Sequence, residues 1–148
     1  MNRKKTHPRT LIPDPEFTPA VLREGDEYYA NGIFEFNITL MLEYIRSNPD
    51  QFKPENISVP EFNNDFSVID ESYIDSVTFS EPVILAEIAP ERFNLIDGNH
   101  RLEKAKKLGR KEIMAYRLSP EQHIKFLTSR NAYEKYIIYW NEKLLESQ

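Results

Sequence analysis

The chain has 148 residues, of which 40% are hydrophobic and 12% aromatic, so it can form one packed domain and is not wholly disordered. It has no cysteine, which excludes disulfides, thiolate metal sites and thiol catalysis. The net charge of −5 argues against a protein that coats nucleic acid along its whole surface.

The first part of the chain carries few signals of regular structure. Residues 1–26 contain four prolines and little periodicity, which predicts an extended or mobile N-terminal arm before a single domain at residues 27–148. The apolar pattern of residues 37–47 predicts a buried helix with Asn37 as its N-cap. Ile57 begins a short alternating run, and the acidic residues 63–80 predict a loop with a short helix.

The clearest pattern lies between residues 82 and 118. Residues 82–88 and 93–97 read as two strands joined by a turn, which predicts a hairpin. A helix follows, with apolar residues at i, i+3 and i+6 from Leu102 and with Gly109 placed as a left-handed C-cap. Residues 113–118 then predict a closing strand.

The last predicted element is a helical unit at residues 119–146, with Ser119 as N-cap and Pro120 in the first helical position. Its apolar stripe predicts core packing, and an oligomer contact through this helix is the alternative; the stripe consists of Tyr133, Ile137, Trp140 and Leu144. The whole pattern predicts an α+β domain, in which flanking N- and C-terminal helices surround a small mixed β-sheet with its core at residues 57–118.

Charge is distributed unevenly along the chain. Residues 61–97 hold nine acidic residues and one basic residue, whereas residues 98–117 hold seven basic and two acidic residues. Such a basic island can bind a phosphate, a nucleotide or a nucleic-acid backbone. An ordinary solvated helix face is the alternative explanation.

The run Asp97-Gly98-Asn99-His100-Arg101 joins the second hairpin strand to the following helix. Amides at a helix N-terminus attract anions, Gly98 permits close approach of a ligand, and Arg101 can bind a phosphate in bidentate fashion. His100 can donate or shuttle a proton near neutral pH. A carboxylate beside a phosphate predicts that Asp97 binds magnesium or accepts a substrate proton. Capping, turn formation and solvation explain the same residues without a ligand.

These residues carry a resemblance to a known family. The run from Pro82 to Leu118 resembles the shared core of the ParB/sulfiredoxin superfamily, and the resemblance covers roughly residues 57–118. The turn is most similar to the Asp-Gly-His-His-Arg turn of the archaeal free-serine kinases, with Asn99 in place of one His. ParB proteins bind CTP and magnesium at a Gly-Glu-Arg-Arg turn, of which Gly98 and Arg101 match. Sulfiredoxins bind ATP at a turn ending Cys-His-Arg, and Asn99 in place of the catalytic Cys excludes their activity.

The resemblance implies a ParB-like nucleotide-binding protein, with ATP or CTP and magnesium as cofactors, that acts as a phosphotransferase or nucleotide hydrolase. It implies catalytic roles for Asp97 and His100, and for Glu61 as a base on the acceptor hydroxyl. Asp97 is the predicted metal ligand. The predicted phosphate-binding residues are Gly98, Asn99, His100, Arg101 and Lys104.

Two further hypotheses stay open. One is a non-catalytic ParB-like module of plasmid, phage or mobile-element origin that binds DNA or protein. The other is a ParB-like metal-dependent nuclease that takes its metal ligands from the acidic residues 61–97. Thirty residues follow Leu118, too few for the DNA-binding and dimerisation parts of a complete partition protein. No apolar run is long enough to cross a membrane and no signal peptide is recognisable, so a cytoplasmic location is expected.

Overall fold

The computed structural model describes residues 9–32, 34–61 and 81–147, which form two sheets and four α-helices. None of these helices is long and apolar enough to span a lipid bilayer. The prediction for residues 63–80 lies outside the described ranges. The elements in chain order are strands β1 (Tyr28–Asn31) and β2 (Phe34–Asn37), helix α1 (Ile38–Ser47), strand β3 (Glu55–Ser58), a 3-10 turn (Val59–Glu61), strands β4 (Val83–Ala89) and β5 (Arg92–Asp97), helix α2 (Asn99–Lys107), strand β6 (Glu112–Leu118), helix α3 (Pro120–His123), a second 3-10 turn (Ile124–Phe126) and helix α4 (Arg130–Glu146).

The larger sheet has the strand order β3-β6-β4-β5. Strand β4 pairs antiparallel with β5 and parallel with β6, and β3 pairs antiparallel with β6, so the sheet is mixed. These pairings confirm the predicted α+β class, the hairpin and the closing strand. All seven residues of β4 are buried because β4 lies inside the sheet and both faces of the sheet are covered.

The side chains of β4 alternate between two apolar clusters. Val83 and Leu85 pack on the face covered by α2, together with Leu102 of that helix. Ile84 and Ala86 point to the opposite face, where α1, β2 and α4 form the larger cluster. The smaller cluster lies beneath the start of α2 and therefore holds the predicted phosphate turn against the sheet.

Helix α1 begins as the sequence predicts. The side chain of Asn37 accepts a hydrogen bond from the amide of Leu40 at 3.0 Å and donates to the carbonyl of Val21 and the carboxylate of Asp26. The hairpin of β1 and β2 before it was not predicted; its loop begins at Gly32, whose positive φ of +65° is typical of two-residue hairpin loops. Asn37 therefore both caps the helix and connects Val21 and Asp26 to it.

The C-terminal unit is not one continuous helix, so that part of the prediction is wrong. The capping box of Ser119 with Gln122 and Pro120 at the first helical position are as expected. The helix stops because Leu127 forms a bridge with β2 and the amide of Thr128 donates to the carbonyl of Glu35 at 2.9 Å. A new helix, α4, then starts, and the predicted stripe at residues 133–144 is buried as expected.

Residues 9–20 pack against the C-terminal unit and include a turn, in which the amide of Phe17 donates to the carbonyl of Asp14 at 3.1 Å. Asn141 pairs with both the amide and the carbonyl of Leu11, at 2.9 and 3.0 Å. The ring of Phe17 stacks on that of Tyr133 with centroids 3.9 Å apart. The prediction of an extended or mobile arm did not include this packing, in which side chains of α4 bond to the main chain of the arm.

Candidate functional site

The predicted phosphate turn lies where β5 ends and α2 begins. Antiparallel pairing places Asp97 opposite Ile84 on β4. Gly98 follows with φ of +106°, and a Cβ at this position would lie 2.8 Å from Cβ of Val83. Glycine is therefore required here by its left-handed backbone and by its contact with β4, whereas the sequence predicted that it makes room for a ligand.

Helix α2 starts at this turn without a side-chain cap, since its N-cap is Gly98. Its first hydrogen bond runs from the amide of Leu102 to the carbonyl of Gly98, at 2.9 Å. The amides before the first such bond of a helix point out of its N-terminus. Together with the positive end of the helix dipole, they form an environment that favours an anion.

Arg101 is fixed by three hydrogen bonds. Its Nη1 donates to the carbonyls of Glu81 at 2.7 Å and Pro82 at 3.0 Å, and its Nη2 donates to Asp97 Oδ2 at 3.0 Å. A guanidinium has five N–H donors, so two are not used by these bonds. Arg101 therefore links the first turn of α2 to the start of β4, and these bonds leave two of its N–H donors for other acceptors.

The Asp97 carboxylate is largely buried, as only 16% of each side chain of the Asp97–Arg101 pair is exposed. Burial raises the pKa of Asp97, and the opposing attraction of Arg101 does not cancel this effect. The nearby carboxylates of Glu27 and Glu81 raise the pKa of Asp97 further. The protonated acid is thus easier to form here than on the surface.

The remaining predicted residues follow along the helix or stand apart from it. Asn99, His100 and Lys104 are half-buried on α2. Glu61 ends the 3-10 turn that packs against α2, and its side chain lies outside the described part of the chain. The structure thus brings Asp97, Arg101 and the helix start together and leaves the predicted contribution of Glu61 untested.

No group of three or more His, Asp or Glu side chains within residues 9–32, 34–60 and 81–147 is arranged to hold a metal ion. A magnesium ion that arrives with a nucleotide needs only one or two protein carboxylates, because phosphates and water supply its other ligands. Asp97 can be such a ligand.

Sequence reasoning missed the groups that hold Arg101 and surround Asp97. The carbonyls of Glu81 and Pro82 precede β4, and the carboxylate of Glu81 pairs with Arg46 of α1 at 3.2 Å. These residues are 19 to 55 positions from Arg101 in the sequence, and no local pattern indicates such contacts. No protein-family model and no curated protein matches this chain.

Proposed function

We propose that this protein is a ParB/sulfiredoxin-like protein that binds the phosphates of a nucleotide, ATP or CTP with magnesium, at the turn from Asp97 to Arg101. The observation that carries the proposal is the start of α2, where a glycine-capped helix N-terminus lies beside a fixed arginine. Helix amides and a guanidinium are both phosphate ligands, and here they converge on one turn.

The fixed position of Arg101 favours binding. A mobile arginine loses rotamer freedom when it binds a ligand, whereas Arg101 is already held by three hydrogen bonds. Two of its donors remain for a phosphate. Asn99, His100 and Lys104 extend from the same helix and add further polar groups in the proposal.

Asp97 is the side chain that would hold magnesium, which would neutralise charge on the phosphates when bound. The alternative role of Asp97 is to accept a substrate proton in place of binding magnesium, and its raised pKa supports that role. His100 is the proposed proton donor of the turn. These roles assign phosphoryl transfer or nucleotide hydrolysis to the site, with Glu61 as the predicted base on the acceptor.

Binding is tested by calorimetry with ATP, CTP and inorganic tripolyphosphate in magnesium buffer. Arg101→Lys keeps the charge but loses the planar fork, so we expect nucleotide affinity to fall about 10-fold, as for one hydrogen bond to a charged group. Arg92→Lys is the matched control, because Arg92 is exposed at the far end of β5. Absence of binding by the parent protein, or equal affinity in both variants, rejects the proposal.

Turnover is tested separately with Asp97→Asn, which keeps the shape of the side chain and removes its charge. For an enzyme, we expect release of ADP, CDP or phosphate to slow about 100-fold or more, as for loss of one acid–base group. For a non-catalytic module, the same change leaves nucleotide binding intact or strengthens it by removing a negative charge. A parent protein that binds nucleotide without turnover is then a binding module.

A further inference from the structure

A small cavity of about 40 Å³ lies at the amino ends of β4 and β6. Sites for small organic molecules usually measure about 300–1,000 Å³, so a nucleotide does not fit in this cavity. It has room for roughly three water-sized groups, since one such group needs about 10–15 Å³ on this measure. The cavity is lined by Glu81, Val83, Arg101, Arg110, Ile113 and Met114.

The two arginines of this cavity are positioned by the two ends of α2. Arg101 is in the first turn and is fixed by its three hydrogen bonds. At the other end, the amide of Gly109 donates to the carbonyl of Lys106 and the amide of Arg110 donates to the carbonyl of Ala105, at 3.1 and 2.8 Å. With Gly109 at φ of +72°, these bonds form a Schellman motif that reverses the chain and brings Arg110 to the cavity.

The rest of the lining is suited to a single anionic group. Val83 and Ile113 are 1% and 5% exposed and provide an apolar wall. Glu81, the one acidic residue of the lining, forms an ion pair with Arg46 at 3.2 Å, which reduces its repulsion of an anion. Charge interactions are stronger next to such an apolar wall than in water.

We infer that this cavity binds one oxyanion, a phosphate or carboxylate group, between Arg101 and Arg110. This site shares Arg101 with the nucleotide turn, and the rest of its lining lies outside residues 97–101. Met114 is 40% exposed at the cavity and leaves space for the remainder of a ligand that carries such a group.

The test follows the methyl signals of Val83, Ile113 and Met114 by NMR during titration of the full chain with inorganic phosphate or sodium acetate at constant ionic strength. We expect saturable shifts, and at least 10-fold weaker binding in Arg110→Gln, as for one lost hydrogen bond to a charged group. Lys111→Gln is the matched control, since it removes the same charge from the next residue, which is exposed. Its affinity for phosphate or acetate should stay within about twofold of that of the parent.

Equal weakening in both variants overturns the inference, because it shows general charge screening, and so does a titration without saturation. Comparison of the affinities for phosphate and acetate shows whether the cavity prefers a phosphate or a carboxylate group. The amide signals of residues 98–101 during ATP titration report on the nucleotide turn separately. Arg110→Gln keeps the Schellman motif, which uses only the backbone, and its melting temperature shows separately whether the variant is folded.

Discussion

Two glycines at the ends of α2 show how one backbone conformation serves different purposes. Gly98 and Gly109 both have positive φ, of +106° and +72°. A Cβ on Gly98 would collide with Val83, whereas a Cβ on Gly109 would meet no atom within 4 Å. Gly109 is therefore required by conformation alone, and Gly98 is required by conformation and by contact with the sheet.

We expect Gly98→Ala to lower the free energy of unfolding by about 2–5 kcal/mol, of which about 1–2 kcal/mol is left-handed strain and the rest overpacking. Gly109→Ala should lower it by about 1–2 kcal/mol, from strain alone. Urea unfolding at equilibrium measures both. The double variant of Gly98→Ala with Val83→Ala should lose less free energy of unfolding than the sum of the two single losses. A loss equal to that sum would show that the contact with Val83 does not matter.

At the scale of elements, a buried polar group joins α3, β4 and α4. The Nε2 of His123 lies 2.8 Å from the carbonyl of Glu87, and the hydroxyl of Tyr136 donates to the same carbonyl at 2.7 Å. His123 is fully buried, and burial lowers its pKa to about 4. The neutral imidazole is therefore the form that fits between these elements.

This arrangement predicts how stability depends on acidity. An unfolded chain takes up a proton on His123 at pH near 6.5, whereas the folded protein resists it until about pH 4. The unfolded state thus binds more protons in this window, and the histidine contributes a loss of up to about 3 kcal/mol as the pH falls from 6.5 to 4. Urea unfolding at several pH values measures the slope.

In His123→Gln, the fall in the free energy of unfolding between pH 6.5 and 4 that is due to the histidine should vanish. The glutamine amide can still donate to the carbonyl of Glu87. His100→Gln is the control, because it makes the same change on the half-buried surface of α2. If the free energy of unfolding falls in parallel in the parent and in His123→Gln from pH 7 to pH 4, His123 is not the cause of the pH dependence.

Most elements set by local sequence were predicted, with the hairpin of β1 and β2 as the exception, whereas the break set by distant partners was not. The strand hairpin and α2 depend on neighbouring residues, such as the turn before Arg92 and the C-cap at Gly109. The break before α4 was missed because it depends on pairing of Leu127 and Thr128 with β2, about 90 residues earlier. At the site, the turn was predicted, but the orientation of Arg101 depends on carbonyls about 20 residues away.

For the molecule as a whole, the first described residues close over the last helix. The indole nitrogen of Trp140 donates to the carbonyl of Arg9 at 2.8 Å, and Arg130 donates to the carbonyls of Pro15 and Phe17. These bonds contact backbone carbonyls rather than arm side chains. The recognition of the arm's main chain could not be predicted from its composition.

We expect Phe17→Ala to lower the free energy of unfolding by about 1–2 kcal/mol, because it removes the ring stacked on Tyr133. Ile12→Ala is the control on the same arm, since this side chain is 82% exposed, and its effect should stay within about 0.5 kcal/mol. Thermal or urea unfolding measures both variants. An arm that does not dock in solution would give two variants that unfold like the parent.

The docking of residues 9–20 on α4 also sets an order of events during protein synthesis. Asn141 is made about 120 residues after the arm it binds, which at 5–20 residues per second is a delay of roughly 6–24 s. Throughout that time Leu11 and Phe17 have no α4 to pack against. Pro13, Pro15 and Pro19 lack the amide hydrogens that strand pairing requires, so the waiting segment is a poor template for aggregation on the ribosome.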